Sequence, residues 1–223
     1  MSYNLGQQTS KTARARSLFG AALVLACAFG TVTHAAERTI TPPTTPDAIT
    51  PPPENSAFLV GHAFGTQGYV CLPTSTGGTS WTVIGARPEA TLFRHVFGQH
   101  FQIITHFLSP DANPNENAPK PLPPGGNVTW QSSRDSSRVW AKAVGMTTAG
   151  SDPSCPNSGA IPCLLLQSIG NQEGPGGGRL LAETTFVQRL NTNGGSAPDT
   201  ACTVGQTQLV PYTADYYFFD QDQ

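Results

Sequence analysis

Four histidines beyond residue 36, His62, His95, His100 and His106, are the side chains of this sequence best suited to metal or acid–base chemistry. Imidazole ligates borderline transition metals and titrates near neutrality. On an extended strand, His100 and His106 share a face but stand about 20 Å apart at roughly 3.3 Å per residue, too far to hold one ion. A metal site therefore needs His62 from a second strand, or a carboxylate such as Asp135 or Asp215. No His-Glu-x-x-His or close His-x-His pair occurs to strengthen the metal reading. The plainer role for each ring is a half-buried side chain bonded to backbone.

Three further stretches carry polar groups that could act together. Ser132-Ser133-Arg134-Asp135-Ser136-Ser137-Arg138 is dense in hydroxyls and charge but lacks the Gly-x-Ser-x-Gly nucleophile elbow. Between Trp130 and Trp140 it reads as a hairpin turn held by side-chain-to-backbone bonds, with Arg134 and Asp135 as a surface ion pair. Gln188 and Arg189 lie close to aromatics at a strand end. They could orient a polar ligand, and they could equally satisfy buried carbonyls. Gly174-Pro175-Gly176-Gly177-Gly178 lacks the Lys-Ser/Thr tail and helix start of a phosphate cradle and reads as a strand connection. Asn127-Val128-Thr129 is a glycosylation sequon.

These residues must be positioned by strands, because helical periodicity is almost absent. Short β-rich runs recur at Ala57–Ala63, Gly68–Leu72, Trp81–Ile84, Thr91–Phe93, Phe101–Leu108, Val128–Trp130, Arg138–Val144, Cys163–Ile169, Leu180–Leu190 and Tyr212–Phe219. Turn clusters separate them at 75–80, 109–117, 121–127, 150–159, 170–178 and 191–196. This pattern predicts an all-β fold, an antiparallel barrel or sandwich with long Pro/Gly-rich loops. Alternation places Phe101, Ile103, Thr105 and Phe107 on the core face of their strand. Tyr212, Ala214, Tyr216 and Phe218 alternate on a strand that is apolar on both faces toward its end, which predicts a central position.

The start of the chain sets its compartment. Lys11, Arg14 and Arg16 precede an apolar stretch from Leu18 to Val32, closed by small residues at Ala35-Ala36. That order predicts an export signal over residues 1–36, with an apolar run of about 15 residues that is short for a membrane span. Val24-Leu25-Ala26-Cys27 loosely resembles a lipoprotein acylation site, although Leu25 is large for its place. Three of the twelve Lys and Arg and none of the fourteen Asp and Glu fall in the signal, leaving nine against fourteen, a net charge of −5. Five cysteines likewise become four, an even number that favours disulfides in an oxidising compartment. No basic stripe interleaved with aromatics points to nucleic acid. Residues 37–55 carry too many prolines for a sheet interior and predict a linker or strap, followed by a single β-rich domain over 56–223.

Several blocks occur together in order: Gly65-Thr66-Gln67-Gly68-Tyr69-Val70-Cys71, Pro88-Glu89-Ala90-Thr91-Leu92-Phe93, Thr105-His106-Phe107, the Trp130–Trp140 segment, Gly159-Ala160-Ile161-Pro162-Cys163, Thr184–Gly195 and Pro211–Phe218. In these the chain resembles the secreted bacterial and fungal family catalogued as domain of unknown function 3455. The resemblance implies an exported, small, β-rich protein and no established activity. The malate dehydrogenase label of some fungal relatives finds no support, since there is no glycine-rich dinucleotide turn in a strand–helix alternation. His62 and His106 fall in family-like stretches, which makes them the preferred metal pair. Cys71 and Cys202 sit where relatives keep cysteine. Cys163 stands where relatives tend to have Trp, with Cys155 eight positions earlier. The pairing this implies is Cys71–Cys202 and Cys155–Cys163, one of three possible connectivities.

The expectation is thus a secreted or periplasmic binding or structural domain with no cofactor, an extracytoplasmic ligand or protein as partner, and no transmembrane segment after the signal. The alternative is a metal-dependent or hydrolytic exported enzyme using His62 and His106 with Asp135 or Asp215.

Overall fold

A computed structural model describes residues 40–83, 89–109 and 127–222. The expected export signal with Cys27, the start of the strap, Ile84, and the proline-rich loop after Ser109 lie outside the described residues. The described chain is nearly all strand: β1 (Asn55–Pro73), β2 (Thr79–Thr82), β3 (Glu89–Val96), β4 (Gln99–Ser109), β5 (Asn127–Ser132), β6 (Arg138–Thr147), β7 (Cys163–Gln172), β8 (Phe186–Gly194) and β9 (Thr207–Gln221). Among these residues no helix is long and apolar enough to cross a membrane.

Every pairing is antiparallel, in the order β2-β1-β3-β4-β5-β6-β7-β8-β9. β1 also pairs with β9, from Asn55↔Gln221 to Val70↔Thr207. That last ladder closes β1 and β3 to β9 into a barrel and removes the open edges that an antiparallel sheet otherwise exposes. β2 runs on from β3 along the far end of β1. Closure also explains the length of β1. The expected strands at 57–63 and 68–72 are one strand, because the intervening Phe64–Gln67 stays in register with Thr213–Val210.

The interior is packed with side chains. Leu92, Ile104, Trp130, Val139, Val187, Tyr216 and Phe218 form its centre. β9 is a central strand buried through Tyr212, Ala214, Tyr216 and Phe218, as its alternation predicts. A second apolar cluster of Ile49, Cys155, Cys163, Leu165 and Leu190 packs on the other face of β7 and β8. The Cys163-Leu164-Leu165-Leu166 run is therefore apolar on both faces for a reason. Part of the cover is the proline-rich segment, whose 3-10 turn at Asp47–Ile49 buries Ile49 completely. Gly145 in β6 makes this approach possible: a Cβ there would lie 1.8 Å from the Ala48 carbonyl oxygen.

Two disulfides staple the fold, Cys71–Cys202 and Cys155–Cys163, the pairing the resemblance implies. The first ties β1 to the segment before β9, where Trp81 Nε1 donates to the Thr200 carbonyl at 3.0 Å.

Three local expectations are corrected. Leu180–Leu190 is not one strand. Residues 179–184 form turns, Leu181 drops into the core, and the strand begins at Phe186. Residues 191–194 continue β8 through a bulge between Leu190 and Asn193 instead of turning. Beyond Ile103 the core face of β4 is the opposite one: Ile104 and His106 are buried, while Ile103 packs partly against the core and Phe101 is exposed. The cause is a bulge. Leu92 pairs with Ile104 but Phe93 with Gln102, so Ile103 has no partner on β3 and the alternation shifts by one residue.

Candidate functional site

That bulge separates two histidines that simple alternation would put on one face. His106 points into the barrel. His100 points out, opposite His95 across the Phe97-Gly98 turn. Both turn residues have positive φ (50° and 76°), the conformation of a tight two-residue hairpin. On β1, His62 pairs with Phe93 and so shares this outer face. Three strands thus bring three histidines together. The ring centroids of His62 and His95 are 4.9 Å apart, and those of His95 and His100 are 3.9 Å apart. Phe93 packs edge-on against His100 at 6.3 Å and against the half-exposed Phe64 at 5.9 Å.

β9 and β8 complete the group. His62 Nδ1 donates to Asp215 Oδ1 at 2.6 Å, and Asn191 Nδ2 donates to Asp215 Oδ2 at 2.7 Å. The carboxylate is thereby held from both sides, and it fixes the tautomer and orientation of His62. The His62 side chain remains 41% exposed and Asp215 20%. Loss of hydration lowers the pKa of His95, and the neighbouring His100 and His62 lower it further. Beside these rings a cleft of about 380 Å³ is lined by Ile40, Phe58, Leu59, Val60, His62, Arg94 and His95.

The interior histidine has a different role. His106 is 3% exposed and stacks on Trp130, with ring centroids 4.3 Å apart and planes 11° from parallel. Its Nδ1 donates to the Thr129 carbonyl at 2.9 Å. Burial pushes its pKa down to about 4, the Thr129 bond opposes the shift, and the Arg189 charge adds to it. The preferred metal pair is therefore not brought together: His62 and His106 project from opposite faces of the barrel wall. Among the described residues, no group of three or more His, Cys, Asp or Glu side chains is arranged as it stands to hold a metal ion.

Gln188 and Arg189 are also separated by alternation. Buried Gln188 donates from Nε2 to the Ile49 carbonyl at 2.6 Å and so holds the proline-rich segment down. Arg189 donates from Nη2 and Nε to the Pro162 carbonyl at 2.8 and 3.2 Å. Each satisfies a carbonyl, the second of the two roles weighed for this pair. Asp135 belongs to the β5–β6 turn. Its Oδ1 accepts from the Ser137 amide and hydroxyl at 3.0 and 2.7 Å, and its Oδ2 accepts from the Leu180 amide at 2.9 Å. Partial burial would raise its pKa, but these bonds and one from Ser132 outweigh it and hold the carboxyl at about 2. Arg134 is exposed in the same turn, and its amide donates to Ser132 Oγ at 3.2 Å. Gly174 closes over the turn, since a Cβ there would lie 1.7 Å from the Asp135 carbonyl oxygen. The glycine-rich loop is thus a backbone clamp. Asn127 is buried with its amide nitrogen enclosed, so the sequon's acceptor is not presented at the surface.

Sequence reasoning missed the outer histidine group. The signal was the Val96-Phe97-Gly98-Gln99 turn, which makes His95 and His100 cross-strand partners. Asn191 gave no signal, because its role depends on the bulge in β8. Comparison with curated proteins and with solved structures finds no match to this chain. A family model does match, over residues 51–220, and covers β1 to β9 but for the last residue of β9, including the whole histidine group. The chain therefore belongs to the family described as "protein of unknown function (DUF3455)".

Proposed function

We propose that this chain is an exported protein, secreted or periplasmic, that serves as a non-catalytic binding or structural domain. In this reading residues 1–36 are the export signal, 37–55 a strap and 56–223 one domain. The carrying observation is the division of labour among its polar side chains. Gln188, Arg189, Asp135 and His106 are each engaged in holding a loop, a strap or the core. The outer wall, by contrast, presents histidines and exposed Phe64, beside a cleft lined in part by Arg94. Such a mixed aromatic and cationic surface suits an extracytoplasmic ligand or protein better than a turnover site. The two disulfides suit an oxidising compartment.

One observation favours a second reading, an exported hydrolase. The His62–Asp215 pair is a carboxylate-oriented imidazole, the form a general base takes. One assay separates the two. Purified protein is screened against chromogenic esters, phosphates, glycosides and peptides with and without zinc or copper. The binding reading expects wild type and His62→Ala to give the same background rate. Turnover by wild type that disappears in both His62→Ala and Asp215→Asn would establish the enzyme instead.

A further inference from the structure

We propose that His62, His95 and His100 bind one divalent transition-metal ion of borderline softness, copper(II) or zinc(II), on the outer wall of the barrel. This rests on the binding reading and deepens it by naming a ligand. Three of the four described histidines lie side by side in a row, carried by β1, β3 and β4, with His95 in the middle. Imidazole nitrogen is the donor such metals prefer, bound at about 2.0–2.1 Å.

His62 is already oriented as a ligand. Its Nδ1–H is committed to Asp215, which leaves Nε2 as the lone-pair nitrogen. A carboxylate behind a ligating histidine fixes its tautomer and ring orientation. Here Asn191 fixes the carboxylate in turn. His95 lies between the other two rings, 4.9 Å from His62 and 3.9 Å from His100 by ring centroids. The rings now touch edge to face instead of converging on a point, with His95 and His100 planes 68° apart. His95 and His100 are exposed, so side-chain rotation alone can turn their nitrogens toward a common ion. The strands fix where the rings begin, and the metal would replace ring–ring contact with ring–metal bonds.

The test is calorimetric titration of copper(II) and of zinc(II) into tag-free full-length protein at pH 7.5 and 5.5. One saturable equivalent is expected at pH 7.5, copper tighter than zinc, and weaker binding at pH 5.5 as protons compete. Asp215→Asn should weaken binding roughly 10–100-fold, as loss of an outer partner does, and His95→Ala or His100→Ala by no less. Those two positions are exposed, so an unchanged metal-free thermal midpoint will show that the variants fold. Wild type without a saturable equivalent, or binding that survives both His95→Ala and His100→Ala, would overturn the proposal. Either result leaves the non-catalytic reading standing, since that reading falls only to turnover.

Discussion

Replacing His106 with Phe should flatten the acid sensitivity of this protein. The ring is enclosed between Trp130 and Tyr216, at centroid distances of 4.3 and 5.6 Å, where a charge is poorly hydrated. Its pKa falls from the ordinary 6.5 to about 4. A base whose pKa is lowered by folding costs no stability above pH 6.5. As pH falls from 6.5 to 4, the unfolded chain takes up the proton that the folded chain refuses, and stability declines. The gap corresponds to about 3 kcal/mol at roughly 1.4 kcal/mol per unit. For a domain of this size that is a drop in Tm of about 6–12 °C. Phe keeps the stack on Trp130 but leaves the Thr129 carbonyl without its donor, a pH-independent cost of about 1–3 kcal/mol. Thermal unfolding followed by circular dichroism from pH 4 to 7.5 reads both terms. Wild type should lose ground to the variant steadily below pH 6.5, and the two curves should run parallel above it. Curves parallel across the whole range would refute a neutral, enclosed His106.

Gly145→Val should push the Asp47–Ile49 turn off β6, exposing Ile49 and freeing the Gln188 amide. The expected loss is about 2–4 kcal/mol in urea unfolding, with new protease cleavage between residues 40 and 54. Unchanged stability and cleavage would deny the strap its role. Asp135 should give a second acid window. Its carboxyl is held at about 2, against 3.8 when unbonded, so its contribution is intact above pH 3.8 and lost as pH falls toward 2. After allowance for solvent at this partly exposed turn, about 1 kcal/mol should separate wild type from Asp135→Asn across that window, read as shifts in urea midpoint. Loop-closure entropy assigns roughly 5 kcal/mol to Cys71–Cys202, which spans 131 residues, and roughly 2.5 kcal/mol to Cys155–Cys163, which spans 8. Paired Cys→Ser variants compared in denaturant titrations should keep that order.

The legible parts of the fold were those set by local chemistry. The alternation of Tyr212, Ala214, Tyr216 and Phe218 marked a central strand. The hydroxyl-rich segment between Trp130 and Trp140 marked a hairpin, and it folds through Asp135 and Ser137 as one. What local pattern could not show was where alternation breaks. One residue without a partner on β3, Ile103, shifts the alternation of β4 and sends His100 and His106 to opposite sides of the wall. Leu180–Leu190 reads as strand because it is rich in apolar and β-branched residues. The turns at 179–184 are instead fixed from afar, by Asn171 donating to the Leu181 and Thr184 carbonyls at 3.0 Å. The histidine group was half visible. Each ring was noticed, but their meeting depends on the Phe97-Gly98 turn and on the register of three strands.

The central claim is that this barrel is built to work outside the cytoplasm. Fractionation of expressing cells, followed by intact-mass and non-reducing peptide mapping of the purified protein, tests it most directly. The account predicts recovery outside the cytoplasm, an N-terminus near Glu37, and peptides joined as Cys71–Cys202 and Cys155–Cys163. A chain retained in the cytoplasm with Met1 in place and four free thiols would contradict it.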